Sequence, residues 1–268
     1  MKLITINTHS LIEEDYEKKL DIFTEAIYDI KPDIIAMQEV NQTASAKKAE
    51  YDDDNIHISG SIPLKDDNHA LRVTKKLKLN GCGYSLSWLG IKNGYGKFDE
   101  GLAIMSLKPP EDIRSVTLSQ RDDYNDWRTR KAIGVRISGE WFYSVHTGWW
   151  QDDKEPFSRQ WERLCESIPK KERVWLMGDF NCPAAVKGEG YDRILSDGWY
   201  DSYELARNKD SGYTAHGKID GWKEEKENKL RIDYIFTNRK INIESSFIIF
   251  DGKNKEKVSD HKGIAVTL

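Results

Sequence analysis

The sequence predicts an α/β (α+β) fold: a four-layer sandwich of two packed mixed β-sheets flanked by helices. Short apolar strands outnumber helical stretches. The few amphipathic helices are interspersed among strands without the strict alternation of a doubly wound sheet. Polar clusters repeatedly close the apolar strands, as in Ile4-Thr5-Ile6-Asn7, Ala36-Met37-Gln38-Glu39 and Ser144-Val145-His146-Thr147. No internal repeat, low-complexity tract or proline-rich linker divides the 268 residues, so one domain over 1–268 is expected.

Residues 2–6 alternate into a short strand, followed by polar Asn7-Thr8-His9-Ser10. Between 14 and 30, Leu20, Phe23, Ile27 and Ile30 recur at three- and four-residue steps, which sets them on one face of a helix stopped by Pro32. Residues 33–40 read as a buried strand closed by Gln38-Glu39. The polar stretch 41–67 has no apolar period and reads as a long surface loop leading to a helix near Asn68. Further strands are expected over 84–89, 102–107, 132–137, 141–145, 174–177, 231–237, 243–250 and 263–268. A helix is expected over 156–168, where Phe157, Trp161, Leu164, Cys165 and Ile168 share a face.

Composition narrows the function classes. The formal net charge is −4, which offers no general electrostatic footprint for nucleic acid or an anionic membrane. The basic run Lys75-Lys76-Leu77-Lys78 fits the solvated face of a helix. Cys82, Cys165 and Cys182 are odd in number and lack metal-ligand spacing, so reduced thiols in a reducing compartment are expected. No apolar run reaches the length of a membrane span, and neither a signal-peptide core nor an amphipathic anchor is visible. The expectation is a cytoplasmic chain with no membrane partner. The sequence leaves the oligomeric state open.

Further polar fragments follow in Leu176-Met177-Gly178-Asp179-Phe180-Asn181, Arg231-Ile232-Asp233-Tyr234 and Ser259-Asp260-His261. Singly, each has an ordinary reading: Gly-Asp-Phe-Asn as an Asx turn, Asp260-His261 as a helix cap, His146 as a half-buried histidine, Glu39 as an exposed acid. Together and in this order they resemble the endonuclease/exonuclease/phosphatase superfamily, over Leu3 to about Val266. The Gly-Asp-Phe-Asn and Ser-Asp-His fragments are the most specific, with weaker support from Gly-Leu-Ala-Ile-Met-Ser at 101–106. The resemblance implies a metal-dependent phosphoester hydrolase with Asn7 and Glu39 in the metal pocket and Asp260 completing it. It further implies that Glu100 orients His146, that Asp233 orients His261, that Asp179 handles the attacking water and that Asn181 holds a phosphate oxygen.

The chemistry suits those residue types. Magnesium prefers hard oxygen ligands and is commonly held by one or two carboxylates plus substrate phosphate, a sparse set that Asn7, Glu39 and Asp260 match; Mn2+ is the expected substitute. A zinc site would call for denser His and Cys. Asp233 beside His261 and Glu100 beside His146 would keep both imidazoles protonated near neutral pH. Arg128 and Arg130 offer forks for a terminal phosphate, although a solvated turn is the stronger reading for Arg128. Trp149, Trp150 and Trp222 are candidates for stacking on a sugar face or a base, whereas Trp161 and Trp175 read as core.

These features favour a small soluble phosphoester. The segments Asn7-Thr8-His9-Ser10, Glu13-Glu14-Asp15, His146-Thr147-Gly148-Trp149-Trp150 and Glu155-Pro156-Phe157 resemble a bacterial branch of the superfamily that includes maltose 6'-phosphate phosphatases. That resemblance implies a phosphomonoesterase acting on a sugar phosphate. A DNA endonuclease or exonuclease is the alternative within the same chemistry, and a catalytically silent binding protein is the alternative outside it. A nuclease would need a basic groove beside the site and would show steep salt dependence.

Overall fold

The computed structural model of the chain describes residues 1–51, 53–216 and 229–268. Among them, a 9-stranded sheet runs Ala206–Lys209, Ile243–Ile249, Gly263–Thr267, Lys2–Asn7, Ile34–Gln38, Phe98–Ser106, Ser85–Gly94, Ile56–Ser59, with the short Gln42–Thr43 paired onto Phe98–Ser106. A 6-stranded sheet runs Tyr200–Asp201, Asp233–Thr237, Val174–Asp179, Glu140–His146, Lys131–Ile137, Asp112–Thr117. Pairing is mixed in both. Lys2–Asn7 is parallel to Ile34–Gln38 and antiparallel to Gly263–Thr267; Val174–Asp179 is parallel to Glu140–His146 and antiparallel to Asp233–Thr237.

Period-two alternation along the strands builds the layers. In the first sheet, Ile34 and Ala36 join Phe142, Trp175 and Met177 in the core between the sheets. Their neighbours Ile35 and Met37 join Leu20, Phe23 and Ile27 of the helix Tyr16–Ile30 and Leu71, Val73 and Leu77 of the helix His69–Leu79. In the second sheet, Trp141 and Tyr143 alternate with Phe142 and pack with Phe157, Trp161 and Leu164 of the helix Phe157–Ser167. Helix, sheet, sheet and helix therefore stack in the four-layer order expected from the sequence, and Trp161 and Trp175 are core.

The elements differ from expectation where polar residues are buried or apolar ones exposed. The strand expected over 84–89 continues to Gly94, and the one over 102–107 begins at Phe98, because Lys92, Asp99 and Glu100 are buried polar positions that break the apolar pattern. The stretch 41–67 is more than a loop: Gln42–Thr43 and the half-buried Ile56–Ser59 pair into the first sheet. Asn68 caps the helix that follows, its Oδ1 accepting from the Leu71 amide at 3.1 Å. The strand Asp112–Thr117 is mostly exposed, so it carries no apolar alternation to read.

The two sheets are also joined by polar contacts beside the strand ends. Ser144 Oγ donates to Met37 O and accepts from Gln38 Nε2, both at 2.9 Å. Next to this seam, Gly178 lies at φ 152, and a Cβ there would stand 1.9 Å from the carbonyl oxygen of Val145, its partner on the parallel strand. Gly178→Ala should therefore destabilise the fold by about 3 kcal/mol or more, visible as a lower urea midpoint. An unchanged midpoint would show that the strand ends can separate freely.

Candidate active site

Strand register sets the polar residues abreast. Asp179 pairs with Asp233 on one side and with His146 on the other, so three neighbouring strands present their functional residues at one level. The first sheet contributes Asn7 at the end of Lys2–Asn7, and Glu39 follows Ile34–Gln38 at φ 49. Asn181 is likewise held at φ 48, an uncommon backbone conformation that, glycine apart, Asn tolerates more readily than most residues.

Asp179 Oδ2 lies at the centre. It accepts from Asn7 Nδ2 at 3.2 Å and stands 3.8 Å from both His146 Nε2 and His261 Nε2. Asn7 Nδ2 also donates to Glu39 Oε1 at 2.8 Å, which links the carboxylates of the two sheets. Asp179 Oδ1 accepts from the Asn181 amide at 2.9 Å, while Asn181 Nδ2 donates to Thr147 O at 2.9 Å. His261 is positioned from two directions: its Nδ1 meets Asp233 Oδ2 at 3.0 Å, and its amide donates to Ser259 Oγ, which itself donates to Asn7 O at 2.8 Å.

These groups border a cleft of about 310 Å³ whose wall includes Glu39, Glu100, Arg130, His146, Trp149, Asp179, Asn181, Asp260 and His261. Asn7 and Asp233 stand behind it through the hydrogen bonds above. Lys92, His9 and Tyr95 also line the cleft and were not assigned from the sequence, and Trp127, whose place just before the arginines made it a further stacking candidate, lines it too. Lys92 falls beyond the expected end of its strand. His9 belongs to the polar Asn7-Thr8-His9-Ser10 cluster that closes the first strand, but its residue type alone gave it no role.

Electrostatics divides the two histidines. Burial opposes a charge on His261, but Asp233 and Asp179 outweigh it and hold the imidazole well above its ordinary 6.5. His146 goes the other way. Burial, Arg130, Lys92 and His261 all push it well below 6.5. The expectation that Glu100 keeps His146 protonated is therefore corrected: Glu100 Oε1 lies 3.2 Å from Lys92 Nζ, and among the described residues no hydrogen bond joins it to His146. Burial and the nearby Asp233 push Asp179 above the ordinary carboxylate range, which makes it a better proton acceptor.

Two other assignments also change. Arg128 Nε is spent on both Asp152 oxygens at 3.2 and 3.0 Å, and its guanidinium stacks 4.2 Å from the Trp127 ring, so it does not line the cleft. Trp150 packs on Phe157 with ring centroids 6.1 Å apart, also away from the cleft. Trp222 lies outside the described residues. Trp149 remains in the wall, beside Trp127 at 5.8 Å.

The donors fit a divalent cation. Glu39 is pushed above its ordinary range by burial and by the carboxylates of Glu100 and Asp260, a crowding that a cation would relieve. Asp260 also groups with His9 and Glu13, and Asp179 with Asp233 and His261, each set having ligand atoms within 4.8 Å of one another. In the second set, the Asp233–His261 hydrogen bond already occupies Nδ1.

A model of the Endonuclease/Exonuclease/phosphatase family matches residues 4–261. The chain belongs to this family. Members of the superfamily are hydrolases, including phosphatases and nucleases, and are usually dependent on a divalent metal. A solved endonuclease/exonuclease/phosphatase family protein from Leptotrichia buccalis C-1013-b is 32% identical, with TM-score 0.86, over 100% of this chain and 98% of that one. The mannosyl-6-phosphatase Bt3783 of Bacteroides thetaiotaomicron VPI-5482 shares the fold at TM-score 0.66 and 18% identity, over 99% of this chain and 98% of that one. So does a 3′ phosphatase from Neisseria bound to a product DNA hairpin, at TM-score 0.65 and 17% identity, over 100% and 99%. No curated protein matches significantly. Among the described residues, no helix is long and apolar enough to cross a membrane.

The opposite shifts of the two histidines can be measured. In the metal-free family member, NMR titration should find His261 still protonated above 6.5 and His146 neutral there. Because the folded value of His261 is raised, its pairing stabilises the fold fully below 6.5 and ceases to do so as pH rises through the raised midpoint. Asp233→Asn should bring that midpoint down toward 6.5. A midpoint indifferent to Asp233 would contradict the orienting role.

Proposed function

We propose that this chain is a magnesium-dependent phosphomonoesterase acting on a small soluble sugar phosphate in the cytoplasm, a reading that makes it an enzyme of carbohydrate metabolism. The observation that carries the reading is the cleft: about 310 Å³, lined by the carboxylates and histidines together with Arg130, Trp127 and Trp149. That volume suits a small ligand. Aromatic rings beside a phosphate site stack well on apolar sugar faces. The sequence resemblance to maltose 6'-phosphate phosphatases supports the same substrate class, and so does the fold shared with a mannosyl-6-phosphatase. The equally close fold of a DNA-bound 3′ phosphatase leaves nucleic acid as the competing substrate.

Glu39 and Asp260, with Asn7, would hold Mg2+ through hard oxygen atoms, and Mn2+ would substitute. The ion, when bound, supplies charge neutralisation at the phosphoryl oxygens. Asp179 orients the attacking water and takes its proton, as its raised pKa permits. Asn181 steadies a phosphoryl oxygen, and neutral His146 lines the cleft beside it. Cationic His261, oriented by Asp233, donates a hydrogen bond to the charge that grows in the transition state.

Release of inorganic phosphate from sugar phosphates, nucleotides and nicked or abasic DNA tests this reading. Sugar phosphates should be turned over fastest, excess EDTA should abolish the activity, and Mg2+ should restore it. Trp149→Ala should impair hydrolysis of the sugar phosphate more than that of a plain aryl phosphate, while Trp150→Ala should not distinguish them. Faster, salt-sensitive cleavage of DNA would overturn the substrate assignment.

A further inference from the structure

The cleft holds a second cation besides Arg130. Lys92 is buried on the strand Ser85–Gly94, between Ile91 and Asn93, where a bland alternating strand would bury an apolar side chain. Its Nζ donates to Trp127 O at 2.9 Å and stands 3.2 Å from Glu100 Oε1. Arg130 Nη1 donates to the same Trp127 oxygen at 3.1 Å. One carbonyl thus gathers two buried cations, and both line the cleft with His146.

The local charge is unbalanced. Glu100 faces Lys92, but among the described residues no carboxylate forms a salt bridge with Arg130. Arg130 Nε is buried and has no hydrogen-bond partner. A buried guanidinium with an unused donor is costly unless an anion meets it. Burial and the neighbouring Arg130 lower Lys92 to about 8, against the opposing pull of Glu100 and Glu39. Glu100 and the Trp127 carbonyl hold Lys92 in place, whereas the buried Nε of Arg130 has no such partner, and an anionic ligand in the cleft would supply one.

We propose that Lys92 and Arg130 form a dianion clamp that makes the site selective for phosphomonoesters over phosphodiesters. This deepens the phosphomonoesterase reading and rests on it. A diester carries one negative charge and presents a second carbon substituent where a monoester presents another anionic oxygen. At neutral pH a monoester is largely dianionic. The extra charge meets Lys92 and the Nε of Arg130, while a diester leaves both cations desolvated against a neutral ester arm. Glu100 keeps Lys92 aimed into the cleft, which gives that carboxylate a use other than orienting His146.

The test compares kcat/KM for para-nitrophenyl phosphate with that for its methyl diester, so the leaving group is constant. Wild-type protein, Lys92→Met, Lys92→Arg and Arg130→Gln are assayed with Mg2+, and folding is checked by circular dichroism. Lys92→Met should reduce the monoester-to-diester preference roughly 10- to 100-fold, the scale of one lost hydrogen bond to a charged group. Lys92→Arg should retain most of the preference. Should Lys92→Met not fold, Arg130→Gln must show the same loss of preference. A wild-type preference for the diester would contradict the phosphomonoesterase reading itself. A monoester preference that survives both neutral substitutions, or equal losses on both substrates, would overturn the clamp alone.

Discussion

The architecture depends on one side chain reaching across two sheets. Asn7 Nδ2 donates to Glu39 on its own sheet and to Asp179 on the other, a contact between residues 172 apart in sequence. In a buried setting each of these polar atoms would be costly without its partner, so the contact fixes how the strand ends meet. Gln38, Ser144 and Ser259 continue the same seam. Hydrophobic layers hold the sheets together, but this polar edge sets their relative position to within the distance that catalysis requires.

That edge concentrates charge. Asp179 and Asp233 lie side by side on paired strands, and Glu39, Glu100 and Asp260 stand near them in the same site. The positive charges are placed unevenly: His261 among the acids, Lys92 and Arg130 together on a common carbonyl. Burial amplifies both imbalances. The result is a raised Asp179 and Glu39 and a lowered Lys92 and His146 within one cleft. A cation held by the carboxylates and an anion met by Lys92 and Arg130 would relieve both at once, which is the charge pattern of a metal-assisted phosphoester site.

Much of this was legible in the sequence because the site sits where strands end. Asn7, Glu39, His146 and Asp179 each interrupt an apolar run, and those interruptions stand out against period-two alternation. The layered fold follows from the same alternation. What escaped was whatever depends on partners distant in the chain. Lys92 lies inside a strand and draws its meaning from Glu100 and Trp127. Arg128 and Arg130 were ranked in the right order from sequence, but the reason, that Asp152 takes one and the cleft takes the other, lies in partners distant in the chain. Trp149 and Trp150 are adjacent, and only the turn of the backbone decides which ring meets the cleft and which meets Phe157. Residue type alone carried none of these distinctions.

If Asp179 is the point where the two sheets deliver their chemistry, removing its charge must affect the reaction and leave recognition nearly intact. Single-turnover hydrolysis of a phosphomonoester by Asp179→Asn, with Mg2+ and with the substrate dissociation constant measured alongside, tests this most directly. The account predicts a rate of chemistry lower by roughly 10²- to 10⁴-fold with binding little changed. An unchanged rate with weakened binding would contradict it, and would reduce Asp179 to a residue that shapes the turn before Asn181.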